Sequence, residues 1–328
     1  MSSTAVILLI LAVGANIYHI LAAFCGILFR LRQKSDLTGN NWPKAACLKP
    51  LCGNDFEAFL NLKSFLNQDY PDYEVIFGTA NKEDAAYQIA CAVCNGNYTG
   101  HAKAVSGEIG KGANRKVRNL RNIYANLSPA VEIIVLSDSD TRVTKSYLKN
   151  IIAPIQNDPT VGAATSIYKI EGVSSLGGLL EALAVEATFV PGVLVVATFS
   201  DLKYAFGASI AVKHSDFLRA GGFATIEDYL ADDYQIGNII YNGGKRVALS
   251  SYVVSIVVPK QSLKNTFAHL TRWNRTIRIC EPTGYLFSII CYCTFWAVAA
   301  FAAIGANQIG WTVLGGSCII RSLTSAVI

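Results

Sequence analysis

No charged residue occurs between positions 5 and 29, AVILLILAVGANIYHILAAFCGILF. A helix of about 20 apolar residues spans the hydrocarbon of a bilayer. In lipid, every backbone N–H and C=O of a lone span must be satisfied within its own segment, so this stretch has to be helical. A cleaved signal peptide would need a basic start and a shorter apolar core; here no Lys or Arg precedes the run. Basic residues follow it, at Arg30, Arg32 and Lys34, which by the positive-inside rule puts the next domain in the cytoplasm. A second charge-free run covers 283–305, TGYLFSIICYCTFWAVAAFAAIG, with Arg272, Arg275 and Arg278 before it, and gives the same topology. Residues 309–320 are apolar but short, a partial, re-entrant or third segment with Arg321 beyond it. The expectation is a multi-pass membrane protein.

Only 16% of the 328 residues are charged, against about 25% in a typical soluble domain. The net charge, 28 − 23 = +5, is too mild and too scattered to argue for nucleic acid. Nine cysteines include one CxxC, Cys91 and Cys94, which has no second pair to complete a zinc site. Free thiols in a reducing compartment fit better.

Between about 42 and 265 strand and helix patterns alternate. AACLKPL (45–51), YEVIFGTA (73–80), HAKAV (101–105) and VEIIVLSD (131–138) read as strands; DFEAFLNLKSFLNQ (55–68), EDAAYQIACAVC and the basic NRKVRNLRNIYANL read as helices. Repeated βα units predict an α/β domain on a doubly wound, mostly parallel sheet, with ligands at the carboxyl ends of the strands. LGGLLEALAVEATFVPGVLVVA (176–197) is helix-like up to Pro191 and ambiguous after it; 228–244 reads as a helix ended by Gly243 and Gly244.

VEIIVLSDSDTRV (131–143) runs a strand straight into Asp138 and Asp140. Like charges that close repel unless a cation, a basic partner or water intervenes. A hard ion such as Mg²⁺ or Mn²⁺ binds through one or two carboxylates plus substrate phosphates, and this spacing lets both aspartates reach one ion. By spacing alone the turn reads first as a solvated one, with Asp140 capping a helix that begins near Thr144. Asp84 follows the second strand and by itself is an ordinary loop or first-turn aspartate. Asp232 and Asp233 are adjacent in a helical stretch, so about 100° apart; one can face a cleft as a general base, or both can belong to an acidic face. In HLTRWNRTIR (269–278), Arg272 suits a phosphate and Trp273 a bilayer surface; residues 266–280 read as an interfacial segment.

Taken in order, Asp84, DSD, ADDY and H-L-T-R-W before an apolar helix resemble the D, D, D, (Q/R)xxRW arrangement of membrane-bound processive-type and lipid glycosyltransferases. KPLCGNDFEAFLNLKSFLNQDYPDYEV (49–75) resembles the opening of the ceramide glucosyltransferase family. GGFATIEDYLADDYQIG (221–237), HLTRWNRTIR and FVPGVLV (189–195) are similar to its bacterial hopanoid-associated branch. The resemblance implies a GT-A fold and an inverting, metal-dependent hexosyltransferase. It would move N-acetylglucosamine from UDP to a lipid hydroxyl such as that of bacteriohopanetetrol, at a bacterial inner membrane. It implies Asp233 as base, and Asp138 and Asp140 as holders of Mg²⁺ or Mn²⁺. Asp84, Asn114, Lys116, Asp138, Arg272 and Trp273 would be on the UDP-sugar, with His269 and Asp232 secondary, towards the acceptor.

The chain departs from the family where Arg115 replaces the proline of N-P-K, where His269 opens (Q/R)xxRW, and where Val190–Pro191 replaces the His–Pro of ceramide enzymes. The resemblance also implies further membrane segments beyond residue 305. The alternatives are a ceramide or other sphingolipid glucosyltransferase and a non-catalytic membrane scaffold. A transporter would need more spans and intramembrane polar sites.

Overall fold

The computed structural model describes residues 1–32, 41–96, 98 and 101–328; Lys34 lies outside them. The chain divides into an α/β unit, Gln33–Gly178 with Asp201–Gln261, and a helical unit, Met1–Arg32 with Leu179–Ser200 and Ser262–Ile328.

In the α/β unit, strands β1 (Ala45–Pro50), β2 (Tyr73–Thr79), β3 (His101–Ser106), β4 (Ile133–Leu136), β6 (Val161–Thr165), β8 (Ile210–Lys213) and β9 (Arg246–Leu249) form one sheet in the order 3-2-1-4-8-6-9. β1, β2 and β4 are apolar runs buried along both faces, as expected of parallel strands covered on each side. β8 runs antiparallel to both β4 and β6, and the other pairs are parallel, so the sheet is mixed but mostly parallel. The chain leaves β1 outward to β2 and β3 and returns to β4 on the other side of β1. The crevice beyond the carboxyl ends of β1 and β4 is therefore a topological switch point, where ligands of open α/β sheets gather.

Helices α2 (Ala58–Ser64), α3 (Ala85–Cys94), α4 (Arg115–Tyr124), α5 (Tyr147–Asn157), α8 (His214–Arg219) and α9 (Asp232–Asn242) complete the unit. α4 buries Val117, Leu120 and Ile123, one face at helical spacing. It comes so close to β2 that a Cβ on Gly78 would lie 2.3 Å from the Ile123 side chain, while Asn119 Nδ2 donates to the Gly78 carbonyl at 2.8 Å. Only glycine admits that approach. A second sheet of β5 (Thr141–Arg142), β10 (Val254–Val257) and β7 (Tyr168–Glu171) has no counterpart in the sequence-based expectation, because two- and four-residue strands are too short to show a period.

The helical unit contains α1 (Ser3–Arg32), most of α6 (Leu176–Ala184), α7 (Val190–Phe199), α10 (Leu263–Cys280), α11 (Pro282–Ser288), α12 (Cys293–Ile304) and α13 (Gln308–Val327). α1 packs on α7, α12 and α13 through Ala5, Ala12, Ala15, His19, Ala22 and Gly26, and leaves Ile7, Ile10, Ile17 and Phe24 exposed. Small residues inward and large apolar ones outward is the reverse of a soluble bundle and the habit of membrane helices.

Three expectations change here. Residues 176–197, read as part of a 42–265 domain, extend through a π-helical turn at Val185–Phe189 into one apolar stretch, Leu176–Phe199, long enough to cross a bilayer. Its portion from Leu179 belongs to the helical unit; the π turn and Pro191 obscured its 3.6 period. The 283–305 run is not one helix but two, bent by 54°. Tyr292 leaves helical geometry (φ −82°, ψ 66°), and the Ile289 carbonyl accepts from the Tyr292 amide at 3.4 Å and, across the break, from Trp296 Nε1 at 2.8 Å. The short 309–320 segment is a full helix, Gln308–Val327, started by Asn307. Arg321 lies inside it, donating to Thr294 Oγ1 at 2.9 Å. By length and composition, two helices of the described residues can cross a membrane, or three if the bent pair is one span.

Candidate active site

Asp138 and Asp140 lie where β4 ends, at the switch point. The turn is held from both sides. Lys49, the last residue but one of β1 and fully buried, donates from Nζ to the Asp138 carbonyl at 2.6 Å, to Thr141 Oγ1 at 2.9 Å and to Ser137 Oγ at 3.3 Å. From the second sheet, the Val257 amide donates to the Asp140 carbonyl at 3.0 Å. Burial pushes the Lys49 ammonium down to about 7, opposed by the carboxylates of Asp140 and Asp138.

The two carboxylates have different neighbours. Asp138 is paired with Lys116, Nζ to Oδ1 2.8 Å. Asp140 Oδ1 is buried and has no hydrogen-bond partner among the described residues. Burial, then Asp138 and Asp55, push its carboxyl up to about 7. Asp140 does not cap the next helix, which begins at Tyr147. The open oxygen lacks a positive or donating partner, the kind of vacancy a hard cation fills at a carboxylate. Among the described residues no group of three or more His, Cys, Asp or Glu side chains is placed to hold a metal ion by itself.

Lys116 carries the link across the cleft. Its Nζ also lies 3.1 Å from Asp232 Oδ2, in the first turn of α9. Burial alone would lower this ammonium, but Asp138, Asp232 and Asp233 outweigh it and hold it well above its ordinary range. Asp233 faces the same cleft, which Lys116, Asp138, Gly207, Asp232 and Asp233 line with apolar Leu136 and Ile236. Its Oδ2 accepts from the Gly207 amide at 2.9 Å and its Oδ1 from the Tyr234 amide at 2.8 Å. Burial first, then Asp232, push Asp233 up to about 6. Both aspartates sit at the positive end of α9.

A clamp of loops brings α4 and α9 together. The Asn114 amide donates to the Glu227 carbonyl at 2.9 Å, Asn114 Nδ2 to the Tyr229 carbonyl at 2.7 Å, and the Ala113 amide to Asp228 Oδ1 at 2.9 Å; Arg121 pairs with Glu227. Asn114 Oδ1 also caps α4, so both ends of its side chain are engaged by protein. Asp84 is engaged likewise. It caps α3 through Ala86 N at 2.9 Å and its Oδ1 accepts from Gly53 N at 2.9 Å, tying the loop after β1 to the loop after β2. The ordinary first-turn role of Asp84 is thus present in the structure.

His269, Arg272 and Trp273 lie on α10 in the helical unit. His269 Nδ1 is 3.1 Å from Glu181 Oε1 of α6, whose side chain is 3% exposed, and its ring meets Trp273 edge-on at 4.4 Å. Arg272 is exposed. Sequence reasoning missed Lys49, Gly207 and Glu181. For Lys49 a signal existed, a lysine inside an otherwise apolar strand; for Gly207, whose importance is a contact between distant loops, there was none.

The chain matches the sequence model of Glycosyl transferase family 21 over residues 5–328. It is 22% identical over 255 residues to Ceramide glucosyltransferase 1 of Caenorhabditis elegans, covering 78% of this chain and 54% of the relative. With Ceramide glucosyltransferase 3 of the same organism it shares 22% over 245 residues, covering 75% and 52%. The chain thus spans about half the length of these curated relatives. Among solved structures it resembles the mannosyltransferase PcManGT from Pyrobaculum calidifontis, in complex with GDP-Man and Mn²⁺, at a TM-score of 0.54 and 18% identity, over 97% of this chain and 99% of that one. The α/β unit has the GT-A glycosyltransferase fold.

Proposed function

The chain belongs to Glycosyl transferase family 21, and on that premise we propose that it is a membrane-bound, inverting lipid glycosyltransferase. It takes a sugar, N-acetylglucosamine in this reading, from a UDP carrier to the hydroxyl of a lipid, a hopanoid such as bacteriohopanetetrol. The observation that supports this most is the meeting of Asp138, Asp232 and Asp233 around Lys116 in one cleft at the switch point. Arg30 and Arg32 after the first apolar helix support a cytoplasmic catalytic domain by the positive-inside rule, and the hopanoid reading carries with it a bacterial inner membrane.

Asp233 is the base. The Gly207 amide fixes one of its oxygens, and a pKa near 6 leaves it ionised at neutral pH yet a stronger proton acceptor than an ordinary carboxylate. The acceptor O–H gives its proton to Asp233 as the oxygen bonds to the anomeric carbon. The bond from that carbon to the diphosphate oxygen breaks on the opposite face, and UDP leaves with the electron pair. Asp138 and the open oxygen of Asp140 would hold Mg²⁺ or Mn²⁺, whose charge offsets that building on the diphosphate. Lys116 contributes a fixed positive charge on the same side. Asp84 and Asn114 support the donor site by holding its loops, and Arg272 with Trp273 is assigned to the diphosphate and acceptor entrance, with His269 beside them.

The ceramide glucosyltransferases among the relatives support a second reading, with ceramide as acceptor and glucose as the sugar. Membranes containing the protein, incubated with a panel of UDP-sugars and lipid extracts and analysed by mass spectrometry, decide between them. A new N-acetylglucosaminyl hopanoid is expected. A glucosylceramide favours the second reading, and no new glycolipid from any donor overturns both.

A further inference from the structure

Lys49 is a fully buried titratable group that the reaction above does not use. Taking an amine out of water is costly unless donors and acceptors are matched, and here they are. Nζ meets three oxygens of the Ser137–Thr141 turn, at 2.6, 2.9 and 3.3 Å, and stands 3.7 Å from the centre of the Phe65 ring. No carboxylate lies within ion-pairing distance of it among the described residues, so its partners are a backbone carbonyl and two hydroxyls, not a salt bridge. Those hydroxyls continue outward. Ser137 Oγ and Thr141 Oγ1 are 2.6 Å apart, Thr141 Oγ1 donates to the Asp138 carbonyl at 2.7 Å, and Ser137 Oγ donates to the Ala208 carbonyl at 2.9 Å. Residue 208 is the neighbour of Gly207, whose amide holds Asp233. One amine therefore stands at the root of two turns, one bearing Asp138 and Asp140 and the other holding Asp233.

We propose that Lys49 is a positioning residue that sets the separation of the cation-side carboxylates, Asp138 and Asp140, from the base-side carboxylate, Asp233. The inference rests on the cation and base assignments made above. A side chain of similar length without the amine fills the space but leaves the Asp138 carbonyl and both hydroxyls short of a donor. The turn then keeps its hold from the Val257 amide but loses the one on the β1 side, and a misplacement of about 1 Å can cost on the order of 100-fold in rate.

The test uses the full chain in detergent. Mn²⁺ binding in the presence of UDP is followed by loss of the free-ion EPR signal, beside donor kinetics and thermal melting. Lys49→Met is expected to raise the Mn²⁺ half-saturation concentration at least 10-fold and to lower kcat more than it changes KM for the donor. A variant that melts lower but whose folded fraction takes up Mn²⁺ as the wild type does overturns the proposal, since that is what a purely structural lysine would do. Should Lys49→Met not fold, Thr141→Val and Ser137→Ala open the same network from its far side. A weakened Mn²⁺ uptake of at least 3-fold in either supports the proposal, and wild-type uptake in both overturns it. Wild-type protein that binds Mn²⁺ with UDP but transfers no sugar sinks the transferase reading and leaves the Lys49 comparison intact. Wild-type protein that takes up no Mn²⁺ overturns the cation assignment and this proposal together.

Discussion

Gly207 donates its amide to Asp233 Oδ2 at 2.9 Å, and a Cβ placed on Gly207 would stand 3.2 Å from that oxygen and 2.9 Å from Asp138 Oδ2. One methyl group would thus crowd the two carboxylates that the proposed reaction keeps on either side of the substrate. Gly207→Ala is expected to lower kcat by about 100-fold, the scale of an ångström-level misplacement, with the melting temperature little changed. Steady-state kinetics beside a thermal melt check this; a fully active Gly207→Ala enzyme would show that the cleft is not the reaction site.

Asp233→Asn keeps the shape of the side chain and an oxygen for the Gly207 amide, gives up the acceptor that the Tyr234 amide uses and cannot take a proton, so transfer should fall by about 10²–10⁴-fold. UDP-sugar affinity should stay near wild type, measured by calorimetry on the same preparation.

The same residue fixes a pH dependence. A base must be deprotonated to work, and burial with the Asp232 charge pushes the Asp233 carboxyl up to about 6. Activity is therefore full above that value and is lost as the pH falls through about 6. Were the carboxyl unshifted, activity would persist to about pH 4. A kcat/KM profile with one acid limb near 6 is the expected result, and a flat profile down to pH 4.5 would contradict it.

Asp84 tests whether a motif residue acts by contact or by support. Its carboxylate caps α3 and holds Gly53, so Asp84→Ala should cost about 1 kcal/mol through the lost cap. It should also raise KM for the donor more than it lowers kcat. Asp84→Asn keeps a cap oxygen and should recover most of the stability, read from denaturation midpoints of the two variants.

In the helical unit Glu181 is 3% exposed at its side chain and meets His269 Nδ1 at 3.1 Å. Glu181→Ala leaves that imidazole without this partner and should cost about 1–3 kcal/mol, seen as faster thermal inactivation in detergent. Glu181→Gln retains an acceptor and should lose less.

Much of the fold was legible because it depends on near neighbours. The apolar runs of β1, β2 and β4 and the face of α4 are local patterns, and α1 is a run of composition. Asp138, Asp140, Asp232 and Asp233 could be picked out because paired carboxylates at element ends are visible along the chain. The break at Tyr292 was not, since a single residue leaving the helix interrupts no pattern of hydropathy. Nor was the second sheet, whose strands are shorter than a detectable period.

By itself the sequence determined the alternation of strands and helices, the apolar segments and the supply of acidic side chains, since each follows from residues close together in the chain. Only the tertiary structure decided which aspartates share a cleft, that Lys116 joins Asp138 to Asp232, that Lys49 underlies the turn, and that Gly207 must lack a side chain. Those relations link positions dozens of residues apart, and electrostatic and steric forces act on distance in space, which one-dimensional order does not encode.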